Sequence, residues 1–292
     1  MQKPYKGSII LHRNMYRQFF GLKEKPFNVT SDPNFLFLSR VHKEAFSHLL
    51  YGIRERKGFL EITGEVGAGK TTLCRALLSQ LDKNTKSAFI FNSTLPELQL
   101  LQCILDDFGI ITERKNKVSM LRLLNNFLIG ELAKGNNVVL IIDEAQNLKS
   151  SILEEIRMLS NLETDKEKLF QIILVGQPEL KNKLASPNLK QLKQRIAVRF
   201  HITALEKNEV GEYINHRLSV AGSSGNIKFH QDALDCVYGY SGGIPRIINM
   251  VCDKALLAAY VMETREIALS LVERSINELQ GNMTYEYNSR SS

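Results

Sequence analysis

Eight consecutive residues, Gly64-Glu65-Val66-Gly67-Ala68-Gly69-Lys70-Thr71, have the types and spacing needed to hold a polyphosphate. Glycines let the backbone curl until several N–H groups face one anion. Lys70 follows as a charge long enough to reach the outer phosphates, and the Thr71 hydroxyl is a ligand for Mg²⁺. The binding stretch runs on to Thr72, into a helix start whose free N–H groups and dipole favour anions. A second constellation, Asp143-Glu144, ends the apolar run Val138 to Ile142. Asp143 is placed to complete a metal site with Thr71, and Glu144 to polarise an attacking water as general base. A chain that only bound a nucleotide could dispense with Glu144, so its presence favours hydrolysis of ATP over binding alone.

Elements must bring these two constellations together. Phe59 to Thr63 reads as a short buried strand before the glycine-rich turn, and Lys70 to Leu81 as the helix after it. Val41 to Arg54 carries apolar residues at helical spacing. Further strands are expected at Ser87–Asn92, Val138–Asp143, Gln171–Val175 and Ala197–Ile202. Helices are expected near Pro96–Phe108, Ser119–Lys134 and Ser151–Asn161. Alternation of this kind predicts an α/β fold, a parallel sheet with helices on both faces. Ligands of such sheets bind at the carboxyl ends of the strands, where both constellations fall. After Thr203 the pattern becomes helices only: Lys207–Val220, Gln231–Tyr240, Pro245–Tyr260 and Arg265–Leu279. The expected organisation is a basic N-terminal segment (1–40), a nucleotide-binding domain (41–203), a helical domain (204–280) and a flexible tail (281–292).

Three further stretches carry a family resemblance. They are Phe20-Gly21-Leu22-Lys23-Glu24-Lys25-Pro26-Phe27 with Asp32-Pro33, then Asp143-Glu144-Ala145-Gln146, then Ser241-Gly242-Gly243-Ile244-Pro245-Arg246. Together with the glycine-rich loop they make the chain, from about Met15 to Leu279, resemble P-loop AAA+ ATPases of the general secretion pathway protein A type, with relatives linked to pilus and exopolysaccharide or exosortase loci. The resemblance implies a helical lid and further catalytic roles. Gln177 matches a sensor that touches the γ-phosphate or the water. Arg195 matches a finger reaching a neighbouring subunit, and is favoured over Arg199. Arg246 matches a lid arginine reaching the γ-phosphate. It also implies self-association into a ring or other oligomer. Relatives of this type often continue into a membrane span and an envelope-binding domain. This chain shows neither, so the expectation is a cytoplasmic ATPase at the inner-membrane face that serves a secretion, pilus or exopolysaccharide export system through a separate membrane-protein partner.

Composition is that of an ordinary globular protein, with 43% hydrophobic and 24% charged residues. No apolar run approaches the roughly 18 residues of a membrane span. The net charge of +7 resides in residues 1–57, with eleven Lys/Arg against four Asp/Glu. That basic segment and its phenylalanines (Phe19, Phe20, Phe27, Phe35, Phe37) support one rival, a nucleic-acid-dependent ATPase such as a transposition target selector or helicase loader; a second rival is a nucleotide switch with little turnover. Packing of the aromatic rings is the preferred reading, and nucleic acid is the less favoured partner. Cys74, Cys103, Cys236 and Cys252 fit no zinc pattern and read as reduced core thiols. His42, His48, His201, His216 and His230 read as structural or surface residues.

Overall fold

The computed structural model describes residues 15–91, 95–113, 116–160 and 168–281. Residues 1–14, those beyond 281 and the expected ends of two elements at Asn92 and Asn161 lie outside these residues. The chain forms two compact units. A sheet unit comprises residues 30–205 with 244–246, and a helical unit comprises residues 15–29, 206–243 and 247–281 among those described.

The sheet unit is built on five parallel strands: β1 (Phe59–Gly64), β2 (Thr85–Ile90), β3 (Asn137–Ile142), β4 (Gln171–Gly176) and β5 (Ile196–Ile202), in the order β2-β3-β4-β1-β5. Alternate side chains of β3 serve opposite faces, as a pleated strand requires. Val138, Leu140 and Ile142 join a core with Leu101 and Leu105 of α4 (Glu97–Asp107), Leu124 and Leu128 of α5 (Lys117–Ala133) and Leu153 of α6 (Ser150–Leu159). Val139 and Ile141 join a separate core with Leu49 and Ile53 of α2 (Arg40–Arg54) and Leu73 and Leu77 of α3 (Lys70–Ser79). Burial on both faces explains why β3 and β4 read as unbroken apolar runs. Two short helices, α7 (Pro178–Leu184) and α8 (Lys190–Arg195), follow β4. Neither is long enough to show helical periodicity in sequence.

The helical unit holds α1 (Met15–Phe20), α9 (Lys207–Val220), α10 (Gln231–Ser241), α12 (Leu269–Leu279) and all but the first two residues of α11 (Pro245–Val261). Two expectations are corrected here. The unit is not helices only, because Lys228–Phe229 and Glu266–Ile267 pair as a small parallel ladder, β6 and β7. Consequently the last helix begins at Leu269 rather than Arg265: the carbonyls of Arg265 and Ile267 accept from Lys228 and His230 instead of from a helix. Residues 15–29 are integral to this unit. Phe20 and Phe27 are buried, Phe19 packs edge-on against Tyr260, and the Tyr16 hydroxyl donates to Asp253. Buried Arg217 donates to the carbonyls of Pro26 and Asn28. The phenylalanines of this segment are packing residues. Cys74 and Cys252 are fully buried free thiols, and burial raises both pKa values. No helix among the described residues is long and apolar enough to cross a membrane.

Candidate functional site

The strand order sets β3, β4 and β1 side by side, so the loops leaving their carboxyl ends converge. From β1 comes the glycine-rich loop. Gly67 (φ 81°) and Gly69 (φ 91°) occupy the left-handed region that curls it. At Gly67 a Cβ would also fall 2.5 Å from the Cβ of Arg246. The Arg246 backbone N–H donates to the Gly67 carbonyl at 3.2 Å, which sets the start of α11 against the loop within the sheet unit; its side chain is exposed.

Lys70 is buried, and its ammonium donates to the carbonyls of Gly64 (2.7 Å) and Glu65 (2.9 Å). Burial lowers its pKa, against the opposing pull of Glu144, Asp143 and Glu65. The Thr71 hydroxyl donates to Asp143 Oδ2 at 2.6 Å, so the two residues expected to share a metal are in contact. Asp143 Oδ1 accepts the Glu144 N–H. Burial raises the Asp143 pKa, and these two hydrogen bonds only partly offset it. No group of three or more His, Cys, Asp or Glu with metal-site geometry occurs among the described residues. One carboxylate and one hydroxyl instead fit Mg²⁺, which keeps waters and takes phosphate oxygens as its remaining ligands.

Glu144 has φ 52°, rare for a side chain of its type, and this breaks the chain away from β3. Its Oε2 accepts from Gln146 Nε2 (2.5 Å) and from Gln177 Nε2 (3.1 Å). The Gln177 N–H in turn donates to Gln146 Oε1. Gln177 therefore reaches the site through Glu144. Gln146 was not among the sequence-derived site residues; its place two residues after Glu144 in the Asp143–Gln146 motif was the available signal. Lys183 of α7 fixes the same loop by donating to the carbonyls of Gln146 and Leu148.

The two candidate fingers bond to residues outside this cluster and have different partners. Arg195 Nη1 donates to Ser160 Oγ at 3.0 Å. Arg199 pairs with buried Glu61, its register neighbour on β1, at 3.3 Å. Glu65, Val66, Ala68 and Thr72 all lie in or beside the loop as its spacing requires.

Residues 53–184 match the AAA domain family. The chain carries an AAA domain over these residues. It is similar to the general secretion pathway protein A of Aeromonas hydrophila, with 43% identity over 268 residues, 91% of this chain and 49% of the relative. The chain thus spans about half the length of that curated relative. Its fold is shared with the Aeropyrum pernix ORC2 protein in ADPNP–ADP complexes (TM-score 0.66, 18% identity, covering 88% of this chain and 72% of that one). It is shared also with the Thermotoga maritima RuvB Holliday junction branch migration motor (TM-score 0.53, 17% identity, covering 85% and 72%). At these identities the likeness concerns the fold alone.

Proposed function

We propose that this AAA protein binds ATP with Mg²⁺ and hydrolyses it as part of an oligomer that drives or regulates assembly of a secretion, pilus or exopolysaccharide export system. The observation that carries the reading is the contact between Thr71 and Asp143, made beside the buried Lys70 and one residue from Glu144. Two buried opposite charges with burial-shifted pKa values are costly in an isolated fold and are compensated by a polyphosphate and a divalent cation. The bound Mg²⁺ would neutralise charge on the phosphates as the terminal phosphoryl group transfers. The loop N–H groups and Lys70 hold the phosphate chain, Glu144 accepts the proton of the attacking water, and Gln146 and Gln177 aim its carboxylate. Arg246 at the loop and Arg195 offered to a neighbouring subunit supply positive charge to the transferring group.

The export role is supported by 43% identity to general secretion pathway protein A. The nucleic-acid rival loses most of its aromatic support, because Phe20, Phe27 and Phe35 are buried and Phe19 packs on Tyr260, which leaves half-buried Phe37. The test is phosphate release with Mg²⁺-ATP, alone and with candidate membrane proteins of an export system or with DNA. Wild type should turn over. Glu144→Gln should retain ATP and lose at least about 10²-fold in rate, and Lys70→Ala should lose affinity. Absence of turnover in wild type defeats the hydrolytic reading, and unchanged turnover in Glu144→Gln defeats Glu144 as the base. Stimulation by DNA that fades with salt defeats the export reading.

A further inference from the structure

His42 lies in the first turn of α2, is 3% exposed, and has no part in the chemistry above. Its Nε2 is 3.0 Å from the carbonyl oxygen of Ala68, inside the phosphate loop. Its Nδ1 is 2.7 Å from Ser39 Oγ. A carbonyl can only accept, so Nε2 carries a proton, and in the neutral ring Nδ1 accepts from the hydroxyl of Ser39. Ser39 Oγ also accepts the His42 N–H, and so caps α2. One serine thus fixes both the start of the helix and the orientation of the ring. Gly69 permits the approach, since a Cβ there would stand only 3.2 Å from Nε2.

The consequence follows from peptide geometry. The Ala68–Gly69 peptide is trans, so its C=O and N–H point in opposite directions. Holding the carbonyl outward on His42 turns the Gly69 N–H away from α2, toward the concavity where a phosphate is cradled. We propose that His42 is a positioning residue of the phosphate loop, which sets the direction of a phosphate-binding backbone donor by holding the carbonyl behind it. The proposal rests on the nucleotide-binding reading above. It makes α2 a support for the loop as well as a layer of the core.

The test compares equilibrium binding of ATP and of adenosine by calorimetry in wild type, His42→Leu and His42→Gln. Leucine fills the space without a donor, whereas glutamine carries an amide N–H near the place of Nε2. His42→Leu should weaken ATP by about 3- to 10-fold, the worth of one well-placed hydrogen bond. Adenosine, which has no phosphate, should bind as to wild type, and His42→Gln should recover most of the loss. Equal loss of ATP and adenosine, or no loss of ATP, overturns the proposal. Wild type without Mg²⁺-dependent ATP affinity would instead overturn the nucleotide reading beneath it. If His42→Leu fails to fold, the imidazole nitrogen spectrum of the wild-type chain decides. Protonation at Nε2 with bare Nδ1 supports the proposal, and the reverse tautomer overturns it.

Discussion

Arg195 and Arg199 differ by four positions and by everything that surrounds them. The Arg199 guanidinium is about half exposed, but its partner Glu61 lies buried in the interior strand β1. Burial raises the Glu61 pKa, and Arg199 pulls it back down. Removing Arg199 leaves a buried carboxylate without its cation, which costs about 1–3 kcal/mol. Arg199→Ala should therefore lower the melting temperature at neutral pH, by roughly 2–4 °C per kcal/mol for a unit of this size. The sign with pH is fixed. A carboxylate whose folded pKa is raised contributes stability below its ordinary range and loses it as pH rises through the folded value. The gap between wild type and Arg199→Ala should thus be small in acid and widen toward neutrality. Adding Glu61→Gln to Arg199→Ala should close it. A pH-independent gap in thermal melts would show that Arg199 acts elsewhere. Arg195 rests on a neutral serine hydroxyl, and no buried charge among the described residues pairs with it.

At the scale of elements, the loop between β1 and α3 is tied to the start of α11 by one hydrogen bond and one close approach. Gly67→Ala would meet two obstacles at once: a left-handed φ that costs about 1–2 kcal/mol for a side chain and a Cβ 2.5 Å from that of Arg246. Either the loop uncurls or residues 244–246 withdraw. ATP affinity should fall by at least about 10-fold, a 1.4 kcal/mol loss, with little change in far-UV circular dichroism. Retained affinity would mean that the curl at Gly67 is not what holds phosphate. The elements that build this edge were legible in sequence because both of the sheet's faces are buried, so β3 and β4 appear as uninterrupted apolar runs. The loop was legible because few residue types can curl a backbone around an anion. What escaped had no periodic signature. The strands β6 and β7 are two residues each, and α7 and α8 are under two or three turns. The left-handed backbone at Glu144 is set by its surroundings, since glutamate has no preference for it. Gln146 was visible as a motif residue, yet its contact with Glu144 depends on that same turn.

For the whole molecule, residues at opposite ends of the sequence share one unit. The segment 15–29 contributes Tyr16, Phe20, Leu22 and Phe27 to the helical unit's interior. Its Lys23 N–H donates to the Ala221 carbonyl, and Arg217 of α9 holds the carbonyls of Pro26 and Asn28. At about 1.5–3 kcal/mol for each large buried side chain, the four account for roughly 6–12 kcal/mol, against the 5–15 kcal/mol by which a whole domain is usually stable. A chain beginning at Thr30 should therefore lose the fold of its helical unit while the sheet unit, whose two cores draw nothing from that segment, persists. Limited proteolysis read by mass spectrometry would show cuts throughout 206–281 and protection across 30–205. Far-UV circular dichroism would fall by the helices of one unit only. One basic residue of this segment is engaged in the same packing, since Arg17 donates to the Lys23 carbonyl, and a ring of the segment, Phe19, lies beneath Arg265. If the shortened chain kept 206–281 protected, the segment would be an accessory on the surface, and its positive charge would be available to a partner after all.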